Sequence, residues 1–255
     1  MIKKIILKIA DFISFFWLVI PSKVRILFFT SLFILESRDN NPKRSLKRIF
    51  RVKDKLEWII NERAINYDSG IHPKHRLTGY HEFFIERIKN GQRVLDVGCG
   101  NGVVALDIAI KCPLSKIIGV DINKNNIDKA NQYLKEKSID NIRFIYGDIN
   151  NEKRIESDIV VLSNILEHIK DRKSFLINIY ELSNAKIFLI RVPLFERDWQ
   201  IPLRRELGIY YYSDNDHEIE HTIEEFVNEM RLANLKVTEI KTIWGEIWAT
   251  CKYEK

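Results

Sequence analysis

A chain of 255 residues with 45% hydrophobic and 30% charged residues has a globular composition, with room for one large α/β domain or a domain and an appendage. Three cysteines, Cys99, Cys112 and Cys251, are too few and too scattered for a disulfide framework or a zinc site, and they suit a reducing cytosol. The net charge of +6 belongs to the N-terminal part: residues 1–60 carry 13 Lys and Arg against 5 Asp and Glu, whereas residues 61–255 carry 28 against 30.

The first predicted element is a helix over residues 2–20, in which apolar side chains cover all but a narrow polar stripe. Pro21 ends this helix, and a second apolar run extends from Ile26 to Leu35. Neither run reaches the ~20 apolar residues that cross a bilayer, and Asp11 argues against a signal peptide. The pattern favours an arm on a membrane surface over a cap packed on the domain, or over a spanning or cleaved segment.

The next predicted elements are a loop, a basic helix, a connection and a further helix, over residues 37–43, Arg44–Ile65, 67–73 and Lys74–Lys89. We expect the domain boundary near residue 70, which separates a helical N-terminal arm (1–70) from the domain that follows (71–255). The positive charge of the arm suits acidic lipid head groups or nucleic acid, and a solvated helix face explains it equally.

From Gln92 onward, short apolar runs alternate with helical patterns, which predicts a parallel sheet. The predicted strands are Arg93–Val97, Lys116–Val120, Ile142–Tyr146, Asp158–Leu162 and Lys186–Val192, and the helices are Val103–Lys111, Lys124–Lys137 and Ser174–Leu182. Thr222 opens a last helix through Arg231, with Glu225 completing a capping box. Two strands, Lys236–Ile243 and Ile247–Cys251, form a terminal hairpin.

The stretch VLDVGCGNG, Val94–Gly102, carries the strongest functional signal. A strand pattern runs directly into glycines at alternate positions, Gly98, Gly100 and Gly102, and a helix pattern follows. Such a loop aims backbone N–H groups at a ligand, and glycine lets the ligand approach the backbone closely. The spacing G-x-G-x-G, with Asp96 two residues ahead, resembles motif I of the class I S-adenosylmethionine-dependent methyltransferases. The G-x-G-x-x-G fingerprint of dehydrogenases does not match.

This resemblance covers roughly residues 92–192 and implies both a fold and a cofactor. The implied fold is α/β, a Rossmann-like seven-stranded and mostly parallel sheet with an antiparallel C-terminal hairpin. The loop amides from Gly98 to Gly100 would face the methionine part of S-adenosylmethionine, and Asp96 would interact with its ammonium. Asp121 would accept hydrogen bonds from the ribose hydroxyls, and Asp148 would bind the adenine amino group. The implied cofactor-binding residues are Asp96, Gly98, Cys99, Gly100, Gly102, Asp121, Ile122, Asp148, Ile149 and Asn164.

The segment after the fourth strand, SNILEHI, resembles the N-x-L-E-H segment of small-molecule methyltransferases, including those that act on quinone precursors. It places Asn164 near the cofactor, and Glu167 and His168 at the rim of a substrate cleft. The D/N-P-P-Y/F/W signature of enzymes that methylate exocyclic amines of bases is missing. Nucleic acid is therefore not expected as the substrate, despite the basic arm.

The segment after the fifth strand is rich in aromatic residues, Asp and His, and is expected to contact the substrate. One of His168, His217 and His221 is the expected general base, since histidine titrates near neutral pH. No metal is expected, because His221 lies just outside a helix cap and does not share a helix face with His217. Arg76 and Tyr80, ahead of the first strand, are candidates to cover the cofactor carboxylate.

The sequence thus predicts an S-adenosylmethionine-dependent methyltransferase that modifies a small-molecule, lipid-linked or saccharide-linked acceptor, most simply at a hydroxyl oxygen. Three alternatives stay open: a quinone or lipid C-methyltransferase, an RNA methyltransferase, and a non-catalytic protein that binds S-adenosylmethionine. We expect a cytoplasmic protein, peripheral on the inner face of the membrane, with an anionic lipid surface as its partner.

Overall fold

A computed structural model describes residues 2–68 and 72–254, and the chain divides into two compact units, Met1–His72 and Pro73–Lys255. The predicted boundary near residue 70 falls outside the described residues, as do the side chains of residues 2–8 and of Asp11 in the predicted polar stripe. The first unit contains three helices, α1 (Ile2–Val19), α2 (Ser22–Ser37) and α3 (Pro42–Tyr67).

Helices α1 and α2 carry many exposed apolar side chains. Phe12, Phe15 and Phe16 are 80, 72 and 69% exposed, and none of the side chains of α2 is buried. Trp17 of α1 packs edge-on against Phe29 of α2, with 5.6 Å between the ring centroids. Among the described helices none alone is long and apolar enough to cross a membrane, although Phe12–Val19 and Ser22–Ser37, bent by 104°, meet that test as a pair.

The turn between α2 and α3 is held by one acidic side chain. Asp39 accepts hydrogen bonds from the guanidinium groups of Arg44 and Arg48, at 2.6 and 2.8 Å. These hydrogen bonds, that of Arg44 first, hold the pKa of Asp39 far below its usual range. Asn41 caps α3 by accepting from the backbone N–H of Arg44, and Pro42 occupies the first helical turn. Arg48 lies in the helix that was predicted to be basic, and its guanidinium group is paired with Asp39 within the arm.

The second unit is built on one seven-stranded sheet in the order β3-β2-β1-β4-β5-β7-β6. Strands β1 to β5 run parallel to one another, and β7 runs antiparallel to both β5 and β6. The strands are β1 (Arg93–Val97), β2 (Lys116–Asp121), β3 (Ile142–Tyr146), β4 (Ile159–Ser163), β5 (Ile187–Pro193), β6 (Leu235–Ile243) and β7 (Glu246–Tyr253). This arrangement confirms the predicted fold class.

Helices cover both faces of the sheet, so that two hydrophobic clusters lie between the layers. The α-helices are α4 (Lys74–Thr78), α5 (Tyr80–Ile85), α6 (Val103–Lys111), α7 (Lys124–Lys137), α8 (Arg172–Ser183), α9 (Gln200–Leu207) and α10 (Ile223–Leu232), with single 3₁₀ turns at Ile149–Asn151, Leu166–His168 and Phe195–Arg197. Strands β1 and β4 are buried between the layers, which explains their nearly continuous apolar sequences.

The predicted strands and helices of residues 92–192 are confirmed to within two residues at each end. The capping box at Thr222 is also confirmed: Thr222 accepts from the Glu225 N–H, and Glu225 accepts from the Thr222 N–H. The single helix predicted over Lys74–Lys89 is wrong. Gly79 adopts a left-handed conformation, with φ of +59°, and separates α4 from α5. Helix α9 was not predicted, because its eight residues carry a short apolar pattern interrupted by Pro202.

Candidate active site

The three glycines of the β1–α6 loop serve different purposes. All three have positive φ, between +57° and +79°, a backbone conformation that residues other than glycine adopt only at an energetic cost. A Cβ atom at Gly98 would collide with the side chain of Ile165, and one at Gly102 with the ring of Phe144. A Cβ at Gly100 would meet nothing within 4 Å. Gly98 and Gly102 are thus required by packing, whereas Gly100 has open space beside it that leaves room for a ligand.

Each N–H group of Gly98–Gly100 has a protein acceptor, and the assignment of these amides to the methionine part of the cofactor stays a prediction. The N–H groups of Gly98 and Cys99 both donate to the carbonyl of Val120, at 2.7 and 3.1 Å. The Gly100 N–H donates to Oδ2 of Asp121 at 2.8 Å. The loop is therefore fastened to the end of β2 and shapes the site by its path.

Asp121 ends β2, and its carboxylate connects the glycine loop after β1 to the segment that follows β2. Its Oδ2 accepts from Gly100, and its Oδ1 accepts from the Asn123 N–H at 2.8 Å and lies 3.4 Å from the Asn126 amide. An ionised carboxylate has about four acceptor positions, so the side chain keeps capacity for a further donor. The loop thus fixes the orientation of the carboxylate that the sequence assigns to the ribose hydroxyls.

A cavity of about 200 Å³ opens at the carboxyl ends of β1 and β4. Five of the predicted cofactor-binding residues line it: Asp96, Gly98, Cys99, Gly100 and Asn164. Asp96 is 1% exposed, and its Oδ2 has no hydrogen-bond partner in the part of the chain that the structure describes. Burial, with the nearby charge of Asp121, raises the pKa of Asp96 to about 8. This carboxyl group is suited to receive a cation from the cavity.

The sequence analysis did not single out a buried arginine on the cavity wall. Arg191 of β5 lies between aromatic rings, with its guanidinium carbon 3.9 Å from the Tyr80 ring centroid and 5.2 Å from that of Trp248. It also donates two hydrogen bonds, of 2.6 and 2.7 Å, to the carboxylate of Glu246 on β7. A charged residue within the apolar run IFLIRVP is the signal that points to such a position.

Of the two predicted covers for the cofactor carboxylate, Tyr80 lines the cavity and Arg76 is exposed. The Tyr80 hydroxyl lies 2.7 Å from Nδ1 of His75, and burial raises the pKa of Tyr80 to about 12. Tyr80 is therefore a neutral hydroxyl at physiological pH. Lys74 and His75, which the sequence analysis did not single out, also line the cavity.

The residues predicted to contact adenosine lie along the neighbouring strand ends. Ile122, directly after β2, is 73% exposed, and Ile149, after β3, is buried in the core. Asp148 is exposed and accepts hydrogen bonds from the N–H and the side-chain amide of Asn150, both at 3.0 Å. None of the three borders the described cavity, and their assignment to adenosine stays a prediction.

Two of the three predicted histidines lie together. The rings of His168 and His217 meet edge to face, with 4.8 Å between centroids. Glu167, beside them, is 1% exposed, and burial raises its pKa to about 7. Burial lowers the pKa of His217, but its hydrogen bond with Glu220 and the charge of Glu167 outweigh burial and leave that pKa raised. Glu167, His168 and His217 thus form an acid–base cluster, and Glu167 follows Asn164 by three residues along the chain.

The third histidine occupies a different environment. His221 is fully buried, and its Nε2 lies 3.1 Å from Oε1 of Glu229, which also accepts from Arg172 at 2.6 Å. The carbonyl of His221 accepts from the N–H of Phe195 at 2.8 Å. These contacts give His221 a place in the packing of α10 against the segment after β5, and they do not support a role as general base.

The aromatic residues of the predicted substrate segment do not line the described cavity. Tyr211 and Tyr212 pack against one another at 4.5 Å between centroids, and the Tyr212 ring lies 6.4 Å from that of His217. Trp199 is 73% exposed. Of these aromatic side chains, Tyr212 is the one that contacts the histidine pair, and the role of the segment in acceptor binding stays a prediction.

A family model described as a methyltransferase domain matches residues 88–244, well over half of the chain. The chain belongs to this methyltransferase-domain family. The match spans the whole glycine loop, the strand-end aspartates and the histidine pair. The chain therefore carries an S-adenosylmethionine-dependent methyltransferase domain, as the resemblance of Val94–Gly102 to motif I predicted.

Curated relatives of the methyltransferase include ribosomal protein L11 methyltransferases. That of Thermotoga maritima is 33% identical over 107 residues, which are 42% of this chain and 38% of the relative. That of Burkholderia lata is 36% identical over 105 residues, 41% of this chain and 33% of the relative. The matches thus span little more than a third of these relatives.

Solved structures show the same fold at low identity. Magnesium protoporphyrin IX methyltransferase of Synechocystis PCC 6803, determined with bound S-adenosylhomocysteine, is similar with a TM-score of 0.58 and 12% identity, over 71% of this chain and 83% of that chain. The YcgJ protein of Bacillus subtilis is similar with a TM-score of 0.51 and 20% identity, over 65 and 73%.

The residues of the cavity fit the cofactor. The unpartnered Oδ2 of Asp96 suits an ammonium group, and the open side of Gly100 leaves room beside it. Asp121 and Gly102 do not border the described cavity, and the assignment of Asp121 to the ribose hydroxyls stays a prediction. When bound, S-adenosylmethionine supplies an activated methyl group on a sulfonium, so the task of the chain is alignment of donor and acceptor.

Asp96→Asn is expected to stabilise the cofactor-free enzyme at alkaline pH. The raised pKa means that the folded state disfavours the ionised carboxylate, so wild-type stability falls as pH rises from the ordinary pKa of 3.8 to about 8. The variant avoids this cost, and we expect a gain of roughly 1–3 kcal/mol at alkaline pH. Urea unfolding at about pH 5 and about pH 8.5 measures it. An equal effect at both pH values would show that Asp96 is not held neutral.

Asp121→Ala is expected to weaken binding of S-adenosylhomocysteine by ~10-fold or more, since charged hydrogen bonds contribute roughly 1.5–3 kcal/mol each. Calorimetric titration measures the affinity. Asp171→Ala is the control, because Asp171 likewise accepts a backbone hydrogen bond at the start of a helix, from Ser174 of α8, and lies outside the described cavity. Unchanged affinity in folded Asp121→Ala would remove this residue from the cofactor site.

Proposed function

We propose that the enzyme transfers a methyl group to a hydroxyl oxygen of a small-molecule, lipid-linked or saccharide-linked acceptor. The observation that carries this proposal is the pairing of a cation-accepting cavity with the cluster of Glu167, His168 and His217 on the same sheet edge. An alcohol must lose its proton as its oxygen is methylated, and this cluster is the group that can promote that loss.

The geometry favours this proposal over the alternatives. A scaffold protein that only binds the cofactor has no need of the acid–base cluster of Glu167, His168 and His217. A C-methyltransferase for quinones or lipids would use the same cavity and a different acceptor atom. Ribosomal protein L11 is a further candidate acceptor, because the cited curated relatives are named as L11 methyltransferases. These relatives match 42% of this chain or less.

Product analysis with a methyl-labelled donor tests the proposal. The enzyme is incubated with a lipid and glycolipid extract, a quinone-precursor mixture, total RNA and purified ribosomal protein L11 in parallel, with heat-denatured enzyme as the inactive control. We expect label in the lipid or glycolipid fraction, in an ether that resists mild base. Label on carbon, in RNA or in protein would contradict O-methylation of this acceptor class.

We further propose that the N-terminal arm binds an anionic membrane surface, which would bring the enzyme to an amphiphilic acceptor. The exposed phenylalanines of α1 and the apolar surface of α2 support this proposal, as does the excess of Lys and Arg in residues 1–60. Of the basic residues of α3, Arg51 and Lys55 are exposed and Lys47 is half-buried. Each basic residue near anionic lipid contributes ~1 kcal/mol.

Liposome flotation of the full-length chain tests the arm. Phe12→Asp/Phe16→Asp is expected to lower binding to anionic vesicles by ~10-fold or more, because burial of each phenylalanine in the interface contributes about 1.5–3 kcal/mol. Leu114→Asp is the matched control, since Leu114 is 74% exposed in the second unit. Equal flotation of the double variant and the wild type would refute a membrane role for α1.

A further inference from the structure

Glu167, His168 and His217 bring one carboxylate and two imidazoles to a single point. Their ligand atoms lie within 4.8 Å of one another. Ligand atoms that lie about 2.0–2.2 Å from one cation are ~3.4 Å apart when the geometry is tetrahedral. The three side chains are therefore near enough to close around one ion by rotation within the cluster.

Hydrogen bonds among the described residues leave polar atoms of this cluster without partners. Glu167 is 1% exposed, yet neither of its carboxylate oxygens has a hydrogen-bond partner among the described residues. Nδ1 of His168 is likewise unpartnered there, since it lies 3.3 Å from Oδ1 of Asp216 without hydrogen-bond geometry. Buried polar atoms without partners are costly, and a bound cation would satisfy them.

The chain holds these three residues through its backbone. Glu167 and His168 form the 3₁₀ turn that follows Asn164, and the carbonyl of Glu167 accepts from the N–H of Glu218 at 2.7 Å. This hydrogen bond joins the turn to the segment that carries His217. Nδ1 of His217 lies 3.2 Å from Oε1 of Glu220, the kind of contact that orients a metal-binding imidazole.

We propose that Glu167, His168 and His217 bind one divalent transition-metal ion. Two imidazoles and one carboxylate match the ligand sets of zinc and of non-haem iron, and they also suit manganese and cobalt. The His168 side chain is 33% exposed, so the remaining positions on the ion would be open to a water or an acceptor oxygen. The prediction that the chain holds no metal was drawn from His217 and His221, which do not lie together in the fold.

The role of this ion rests on the proposed function, whereas its binding does not. A metal ion bound to an alcohol oxygen lowers the pKa of the hydroxyl and fixes its position. The imidazoles would then act as ligands, and the hydroxyl proton would pass to solvent as the carbon–oxygen bond forms and the carbon–sulfur bond breaks. This places the proposed acceptor oxygen beside Asn164 and the cavity.

A second grouping shares His217 and makes the test specific. Asp214 and Asp216 approach His217 within the same 4.8 Å limit, but both carboxylates are exposed. A metal ion in that grouping would have one histidine ligand, whereas the proposed site has two. Counting the bound imidazoles therefore distinguishes the two arrangements without any substitution.

Titration of the metal-stripped, full-length enzyme with Co²⁺ tests the proposal, followed by calorimetry and by proton NMR of the exchangeable ring N–H signals that a paramagnetic ion shifts. We expect one ion per chain and two shifted imidazole signals. Glu167→Gln and His217→Ala should each weaken binding by more than ~10-fold. Asp214→Asn and His81→Gln are the matched controls and should leave the affinity unchanged.

Absence of stoichiometric binding would overturn the proposal. One shifted imidazole, or loss of binding in Asp214→Asn with Glu167→Gln unaffected, would assign the ion to the exposed aspartates instead. The NMR count is made on the wild type, so it decides the matter even where a variant fails to fold. Binding of S-adenosylhomocysteine, measured in the same samples, shows separately whether the methyltransferase assignment holds.

Discussion

A carboxylate buried without a partner is the constraint on which the candidate site depends. Asp96 lies inside β1, between β2 and β4, where the layers of the sheet exclude water. Its Oδ2 faces the cavity and has no partner among the described residues. The fold therefore carries an electrostatic cost that a ligand cation removes, which couples cofactor binding to stability.

The rest of the site follows from the way this strand ends. The loop after Asp96 turns back on β2 through the carbonyl of Val120 and the carboxylate of Asp121, so its amides are consumed by the protein. Gly98 leaves space for Ile165, which precedes the turn that holds Glu167 and His168. The packing of Ile165 at Gly98 thus joins the loop that lines the cavity to the turn that holds Glu167 and His168.

The sequence predicted the sheet and the cavity loop well because local rules govern them. Alternation of apolar strands with amphipathic helices determined the topology, and alternate glycines located the turn after Asp96. Features that tertiary partners decide were beyond its reach. The protein acceptors of the Gly98–Gly100 amides lie on another strand, and the environment of His221 includes Glu229, eight residues away along the chain and on a different element. Arg191 was overlooked because its partners belong to other elements.

The most direct test measures protons released when S-adenosylhomocysteine binds, by calorimetry at about pH 7 in buffers of different ionisation enthalpy. With a pKa of about 8, Asp96 is mostly protonated in the cofactor-free enzyme at that pH. An ammonium group seated against it would lower that pKa, so close to one proton should leave per molecule bound, and Asp96→Asn should release none. Binding without proton release, or equal release in the variant, would contradict the account.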